Sequence, residues 1–243
     1  MLLAGIMLKM GIYGMIRWMI PVCHQAVQQW GNFAIILAIT GIVYGSLIAI
    51  RQKDMKRLVA YSSIAHVGLI AAGVFVLTIH AMQGAVIQMI SHGINIVGLF
   101  LVIDLIEQRT KTRNISDLGG IALKAPRLAI FFMVILLGSI ALPLTNGFIG
   151  EFLLLLGIFE YSWIFSAIAG LTIIFSAVYM LRMYQQTMLG TTNAITEQIN
   201  DLTWTEMATL VPLVVMIFWI GLFPGLFLDV ALPDVLQILN FVK

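Results

Sequence analysis

MQGAVIQMISHGINIVGLFLVIDLI, residues 82–106, carries a single formal charge, Asp104, near its end. A helix of about 20 apolar residues crosses a hydrocarbon core of about 30 Å, so this stretch is long enough to span a bilayer. Comparable runs recur at 1–20, 31–50, 58–79, 128–159, 162–189 and 206–228. Across the 243 residues, 61% are hydrophobic and 10% charged, against about 45–50% apolar and about 25% charged in ordinary soluble domains. The sequence therefore predicts an all-α, polytopic membrane protein of about seven transmembrane helices. The fifth and sixth runs exceed the length of a straight span, which leaves room for tilt or a break.

Several function classes drop out. The net charge of +2 is small and dispersed, which argues against nucleic acid as a partner. A single cysteine, Cys23, leaves no intrachain disulfide, no CxxC pair and no cysteine-ligated iron–sulfur cluster. Neither GxGxxG nor GxxxxGK[ST] occurs, so no nucleotide site is expected. The first run lacks a basic leader and is interrupted by Lys9, unlike a cleavable signal peptide. No metal site is expected.

Basic residues orient the bundle. Arg51, Lys53, Lys56 and Arg57 follow span two. Arg109, Lys111, Arg113, Lys124 and Arg127 follow span four, and Arg182 lies late in span six. All fall on one side, assigned to the cytoplasm or the mitochondrial matrix together with Met1. Arg17 and Lys243 fall outside. Trp18, Trp30 and Trp163 sit near the outer ends of spans, as an aromatic belt requires. Gly41/Gly45 and Gly221/Gly225 offer GxxxG steps for close helix approach. Residues 189–206 read as the longest loop.

Ionisable groups inside the apolar runs are functional candidates, because a charge at the centre of a span costs about 2.5–3.5 kcal/mol on insertion scales. Lys9, His66, His92 and Glu151 stand out. At 1.5 Å per residue, each lies about 12–15 Å from an end of its span. A membrane histidine alone is often only a hydrogen-bonded packing residue, but four such groups at one depth suggest a horizontal proton relay. Asp104, Glu107 and Gln108 read as a solvated helix terminus. Glu160 and Asp229, at outer ends, receive no role.

Span five contains SIALPLTNGFIGEF, residues 139–152. Proline removes a backbone donor and clashes with the preceding turn. In a bilayer this is tolerated where the freed carbonyls meet protein or a water-filled cavity. Pro143 and Gly147 thus mark a discontinuous helix, with Thr145, Asn146 and Glu151 close behind, the pattern of transporter helices broken beside a polar site.

LLAGIMLKMGIYG, QKDMKRLVAYSSIAHVG, GAVIQMISHGINIVGLF and LPLTNGFIGEF occur here in that order. Together they resemble the antiporter-like subunit M family of proton-pumping NADH:quinone oxidoreductase, respiratory complex I. The resemblance covers nearly the whole chain. It matches Lys9, His66, His92 and Glu151 to the central-axis residues that the family uses to relay protons, with no catalytic redox group among them. The sister subunits L and N carry lysine at the position of Glu151, so glutamate points to subunit M.

The resemblance also implies an organisation. Residues 1–243 correspond to one membrane domain: the last helix of the family's first repeat, the complete second five-helix inverted repeat and the terminal helix. The N-terminal half of the family is not represented. NADH, FMN, iron–sulfur clusters and quinone are then expected in partner subunits. Implied partners are L-like and N-like membrane-arm subunits, a chain or segment supplying the first half, and the lipid bilayer. The implied location is a bacterial inner membrane, with the mitochondrial inner membrane as the alternative. A subunit of a multi-subunit cation/proton antiporter is the competing function, because it would use the same lysine and histidines.

Overall fold

A computed structural model describes residues 3–241; Met1 and Lys243, placed above on opposite sides, lie outside them. The first span is a composite helix. α1 (Leu8–Gly14) is flanked by π-helical turns, Leu3–Met7 and Met15–Met19, and followed by the short α2 (Ile20–Val22). Then come α3 (His24–Arg51), α4 (Met55–Val76), α5 (Ile79–Thr110), the single-turn α6 (Ile121–Lys124), α7 (Pro126–Ser139), α8 (Asn146–Tyr161), α9 (Trp163–Met188), α10 (Trp204–Leu222) and α11 (Gly225–Asn240). Among the described residues there are no strands, only an isolated bridge between Asp54 and Asn114.

Five of these helices, α3, α4, α5, α9 and α10, are individually long and apolar enough to cross a membrane. The fifth run of sequence crosses as two shorter pieces, α7 and α8. α11 departs from expectation: the last apolar run spans 206–228, yet α10 stops at Leu222 and a further helix follows Pro224. That helix buries Val235, Ile238 and Leu239 and packs against α5.

The packing divides into two apolar cores with a polar layer between them. One core joins Leu58 and Val59 of α4, Ile96 to Ile106 of α5, Phe132 to Leu136 of α7 and Met180 to Met188 of α9. The other joins Ile35 and Ile42 of α3, Leu69 to Val76 of α4, Ala81 to Ala85 of α5, and Leu154 and Ile158 of α8. On each central helix residues between the cores are polar and buried: Ser62 and His66 on α4, Gln88, Ser91, His92 and Asn95 on α5, Asn146 and Glu151 on α8, and Thr172 and Ser176 on α9. Buried polar groups are costly unless they find partners, so their collection in one layer lets them serve one another.

Antiparallel α5 and α8 hold this layer rigidly. A Cβ at Gly157 would stand 2.3 Å from the Ala81 nitrogen, at Gly84 2.7 Å from the Leu154 nitrogen, and at Gly150 2.2 Å from Gln88 Oε1. The helices can meet this closely only through hydrogen side chains. The GxxxG steps do not act as pairs. Gly45 packs against Tyr61 and Ala65 of α4 while Gly41 meets nothing within 4 Å, and Gly221 and Gly225 fall on different helices.

One end of the bundle gathers the basic loops. Asp54 caps α4 by accepting the Arg57 amide at 3.1 Å and pairs with Arg113 Nε at 2.5 Å. Lys56 Nζ lies 2.5 Å from Glu107 and 3.4 Å from Asp104, so this terminus is an ion-pair cluster rather than a merely solvated helix end. Arg109 Nη2 binds both oxygens of Glu206, at 2.8 and 2.7 Å, and Asp201 of the 189–206 loop accepts the Arg127 and Leu128 amides at the start of α7. At the opposite end His80 Nδ1 meets Glu160 Oε1 at 2.6 Å, a pairing that the sequence did not announce. Trp18, Trp30 and Trp163 are exposed.

Candidate functional site

The polar layer brings three of the four ionisable candidates into direct contact. His66 Nδ1 stands 3.0 Å from Glu151 Oε1, near enough for an ion pair when the imidazole is protonated. The ring of His66 lies 5.0 Å from that of His92, centroid to centroid, with a tilt of 36°. Lys9 lines a groove with Ile90, Gly93 and Ile94 of α5, on either side of His92. The spatial order is therefore Lys9, His92, His66, Glu151. All four are withdrawn from solvent, at 7, 2, 1 and 1% exposure.

Local structure explains each placement. Lys9 sits between two π-helical turns, and widened turns of this kind recur at functional sites. His92 and Gln88 lie four apart on α5, and Ser62 and His66 four apart on α4, so each pair shares a face. Glu151 is held by the break before it. α7 ends at Ser139, α8 begins at Asn146, and Ala141 and Leu144 adopt left-handed conformations with φ of 58° and 74°. Pro143 falls within this turn. Gly147 is demanded by proximity, since a Cβ there would stand 2.2 Å from the Gly138 carbonyl oxygen.

The backbone groups freed by the break are satisfied locally, as an apolar surrounding requires. Ser139 Oγ donates to the Leu136 carbonyl at 2.8 Å, Thr145 Oγ1 to that of Leu142 at 2.6 Å, and the Leu142 amide to that of Leu137 at 3.1 Å. Asn146 Nδ2 reaches across to the Ser91 carbonyl at 3.2 Å and ties α8 to α5.

Three more residues join the site that charge alone did not reveal. Gln88 Nε2 donates to Glu151 Oε1 at 3.3 Å. Tyr179 Oη donates to Ser62 Oγ at 3.0 Å, one turn of α4 before His66. Their signal in sequence was only polarity at helical spacing. Within the described residues His66 Nε2, His92 Nε2, Gln88 Oε1 and Glu151 Oε2 lack a hydrogen-bond partner. The layer therefore contains sites that can accept or release protons beside a hydrogen-bonded frame that fixes them. No three His, Cys, Asp or Glu side chains among the described residues gather as a metal site would need.

The fold and site define a class of polytopic membrane protein in which buried lysine, histidine and carboxylate side chains gather beside a broken helix. A family model described as "NADH:quinone oxidoreductase/Mrp antiporter, TM" matches residues 1–177, and the chain belongs to this family. NADH-quinone oxidoreductase subunit M from Rickettsia conorii (strain ATCC VR-613 / Malish 7) is 45% identical over 230 residues, 94% of this chain and 47% of that protein. Among solved structures, respiratory complex I from Thermus thermophilus with bound NADH aligns with a TM-score of 0.92 at 31% identity, over 96% of this chain and 49% of that one. The Mrp complex from Dietzia sp. DQ12-45-1b aligns with a TM-score of 0.86 at 17% identity, over 97% of this chain and 53% of that one, a likeness of fold. The chain is a multi-pass membrane protein. It spans about half the length of the relatives it matches, which fits its correspondence to one half of subunit M.

Proposed function

We propose that this chain is a proton-translocating part of the membrane arm of an NADH:quinone oxidoreductase. Protons pass along Lys9, His92, His66 and Glu151 while electrons move through partner subunits. The observation that carries the reading is the contact of His66 with Glu151 at 3.0 Å beside His92, because a relay needs donors and acceptors within one proton hop. NADH, FMN, iron–sulfur clusters and quinone belong to those partners, which carry the redox chemistry that this chain lacks motifs for. L-like and N-like subunits and a segment completing the first half are the proposed neighbours, in a bacterial inner membrane.

Copurification of this chain with flavin and iron–sulfur subunits separates this function from a cation/proton antiporter, which would lack them. In the assembled complex Glu151→Gln should retain NADH oxidation by artificial acceptors and lose most proton pumping. Full pumping in Glu151→Gln at normal complex levels overturns the relay. The chain without its partners should oxidise no NADH.

A further inference from the structure

We propose that the pocket between α3 and α9, at the basic end of the bundle, binds the phosphate headgroup of an anionic phospholipid whose acyl chains lie along these two helices. Arg51, Lys53 and Arg182 line this space of about 540 Å³, together with the amides of Gln52 and Gln186. No carboxylate lines it, so three positive charges meet around one opening. Other cations at this end are neutralised within the fold: Lys56 by Glu107 and Asp104, Arg109 by Glu206, and Arg113 by Asp54. Arg51, Lys53 and Arg182 have no carboxylate partner among the described residues. The acids next to the pocket in sequence are already engaged. Asp54 holds Arg113 and the Arg57 amide, and Asp117 accepts from Thr112, Asn114 and Ser116.

The charge selects an anion, and the helices that lead to it select a lipid. α3 ends at Arg51, and Arg182 lies six residues before the end of α9, about 9 Å at 1.5 Å per residue. The pocket therefore sits where the spans leave the hydrocarbon. On α9, Ile174, Val178, Arg182 and Gln186 follow at intervals of four. On α3, Tyr44, Leu47 and Arg51 follow at intervals of three and four, so each set shares a face. Ile174, Val178, Tyr44 and Leu47 are all exposed. Two apolar stripes thus run into one cationic rim, which suits a molecule with an anionic head and apolar chains. Arg182 Nη1 also reaches the Ile50 carbonyl at 3.5 Å, which ties α9 to the last turn of α3 and leaves further guanidinium N–H groups for a ligand. Basic pockets between membrane helices at this level suit anionic headgroups, and arginine binds phosphate through paired N–H groups.

The site lies apart from the ionisable layer. α3 packs mainly on α4 and α9, whereas the groove that holds Lys9 is lined from the first span, α5 and α10. A lipid between α3 and α9 requires no proton transfer, so this site stands or falls separately from the relay.

The test labels the assembled complex containing this chain with phosphatidylglycerol that carries a photoactivatable group in an acyl chain. Peptide mass spectrometry locates the adducts, and displacement by unlabelled phosphatidylglycerol gives the affinity. Adducts are expected within 44–53 and 174–186, displaced better by phosphatidylglycerol than by phosphatidylcholine with the same chains. A basic side chain near an anionic lipid contributes about five-fold in affinity, so combining Arg51→Gln, Lys53→Gln and Arg182→Gln should weaken binding about 100-fold. Combining Lys111→Gln, Lys124→Gln and Arg127→Gln removes the same charge away from the pocket and should leave labelling there unchanged. Should the triple pocket variant fail to assemble, Arg182→Gln alone should weaken binding about five-fold, and the lipid preference of the wild type needs no variant. Equal displacement by phosphatidylcholine overturns the proposal, as do unchanged affinity in the pocket variants and an absence of adducts in these segments. Displacement by inorganic phosphate as readily as by phosphatidylglycerol would mark a site for a free anion and overturn it too.

Discussion

His66 Nδ1 and Glu151 Oε1 face each other at 3.0 Å across the α4–α8 interface, yet the contact is not aligned as a hydrogen bond. A buried pair of this kind gains little over a hydrophobic replacement, but removing one member strands the other. The two substitutions His66→Ala and Glu151→Gln should therefore be strongly non-additive. The coupling expected for residues in contact is about 0.5–3 kcal/mol. Thermal melting of the assembled complex should show the double variant less destabilised than the two single shifts combined. Additive shifts would mean that the two groups do not interact.

The α5–α8 seam yields a prediction that is independent of chemistry. At Gly157 a Cβ would stand 2.3 Å from the Ala81 nitrogen and 2.5 Å from its Cβ, and backbone there cannot step aside. Overpacking of this sort costs about 1–3 kcal/mol, so Gly157→Ala should lower the melting midpoint and the level of assembled complex. Gly170, with nothing within 4 Å of its Cβ position, is the internal control. Gly170→Ala should be neutral or mildly stabilising, because alanine favours helix over glycine by about 1 kcal/mol. Equal effects at both positions would remove the close approach from the account.

The four ionisable residues were legible because each violates the apolarity of its own run. Their adjacency was not, since depth along a span says nothing of which helix faces which. The order Lys9, His92, His66, Glu151 follows from α1, α4 and α8 packing together around α5, a fact of packing. Gln88, Ser62 and Tyr179 stayed hidden because uncharged polar residues occur in membrane helices without function. α11 was missed because Asp229, Pro233 and Asp234 make 225–240 too short and too polar for a span. It forms instead as an amphipathic helix against α5, burying one apolar edge.

Orientation can be read directly. Lys53 is exposed in the loop between α3 and α4, at the end of the bundle that gathers the basic residues. With the exposed Cys23 replaced by serine, Lys53→Cys should resist an impermeant maleimide in intact cells and react in inverted membranes. Lys243→Cys should show the opposite pattern. Labelling of Lys53→Cys from outside would reverse the assigned topology.

Lys9 gives the most demanding prediction, because charge and proton exchange can be separated there. It lies in a largely apolar groove against Met89, Ile90, Gly93 and Val97 of α5, the helix that carries His92. If that charge only positions neighbours, arginine should substitute for lysine, since both are cationic and of similar reach. If Lys9 must release its proton to His92 during turnover, arginine should fail, because a guanidinium stays protonated under all physiological conditions. Lys9→Ala removes the exchangeable group and with it a buried charge, so assembly should survive. Both Lys9→Ala and Lys9→Arg are expected to reach normal complex levels, oxidise NADH with artificial acceptors at wild-type rates, and lose about 100-fold or more in coupled pumping, the lower end of what a positioned proton-transfer group contributes. Pumping at wild-type level in Lys9→Arg, with loss only in Lys9→Ala, would assign Lys9 an electrostatic role and move the start of the relay to His92.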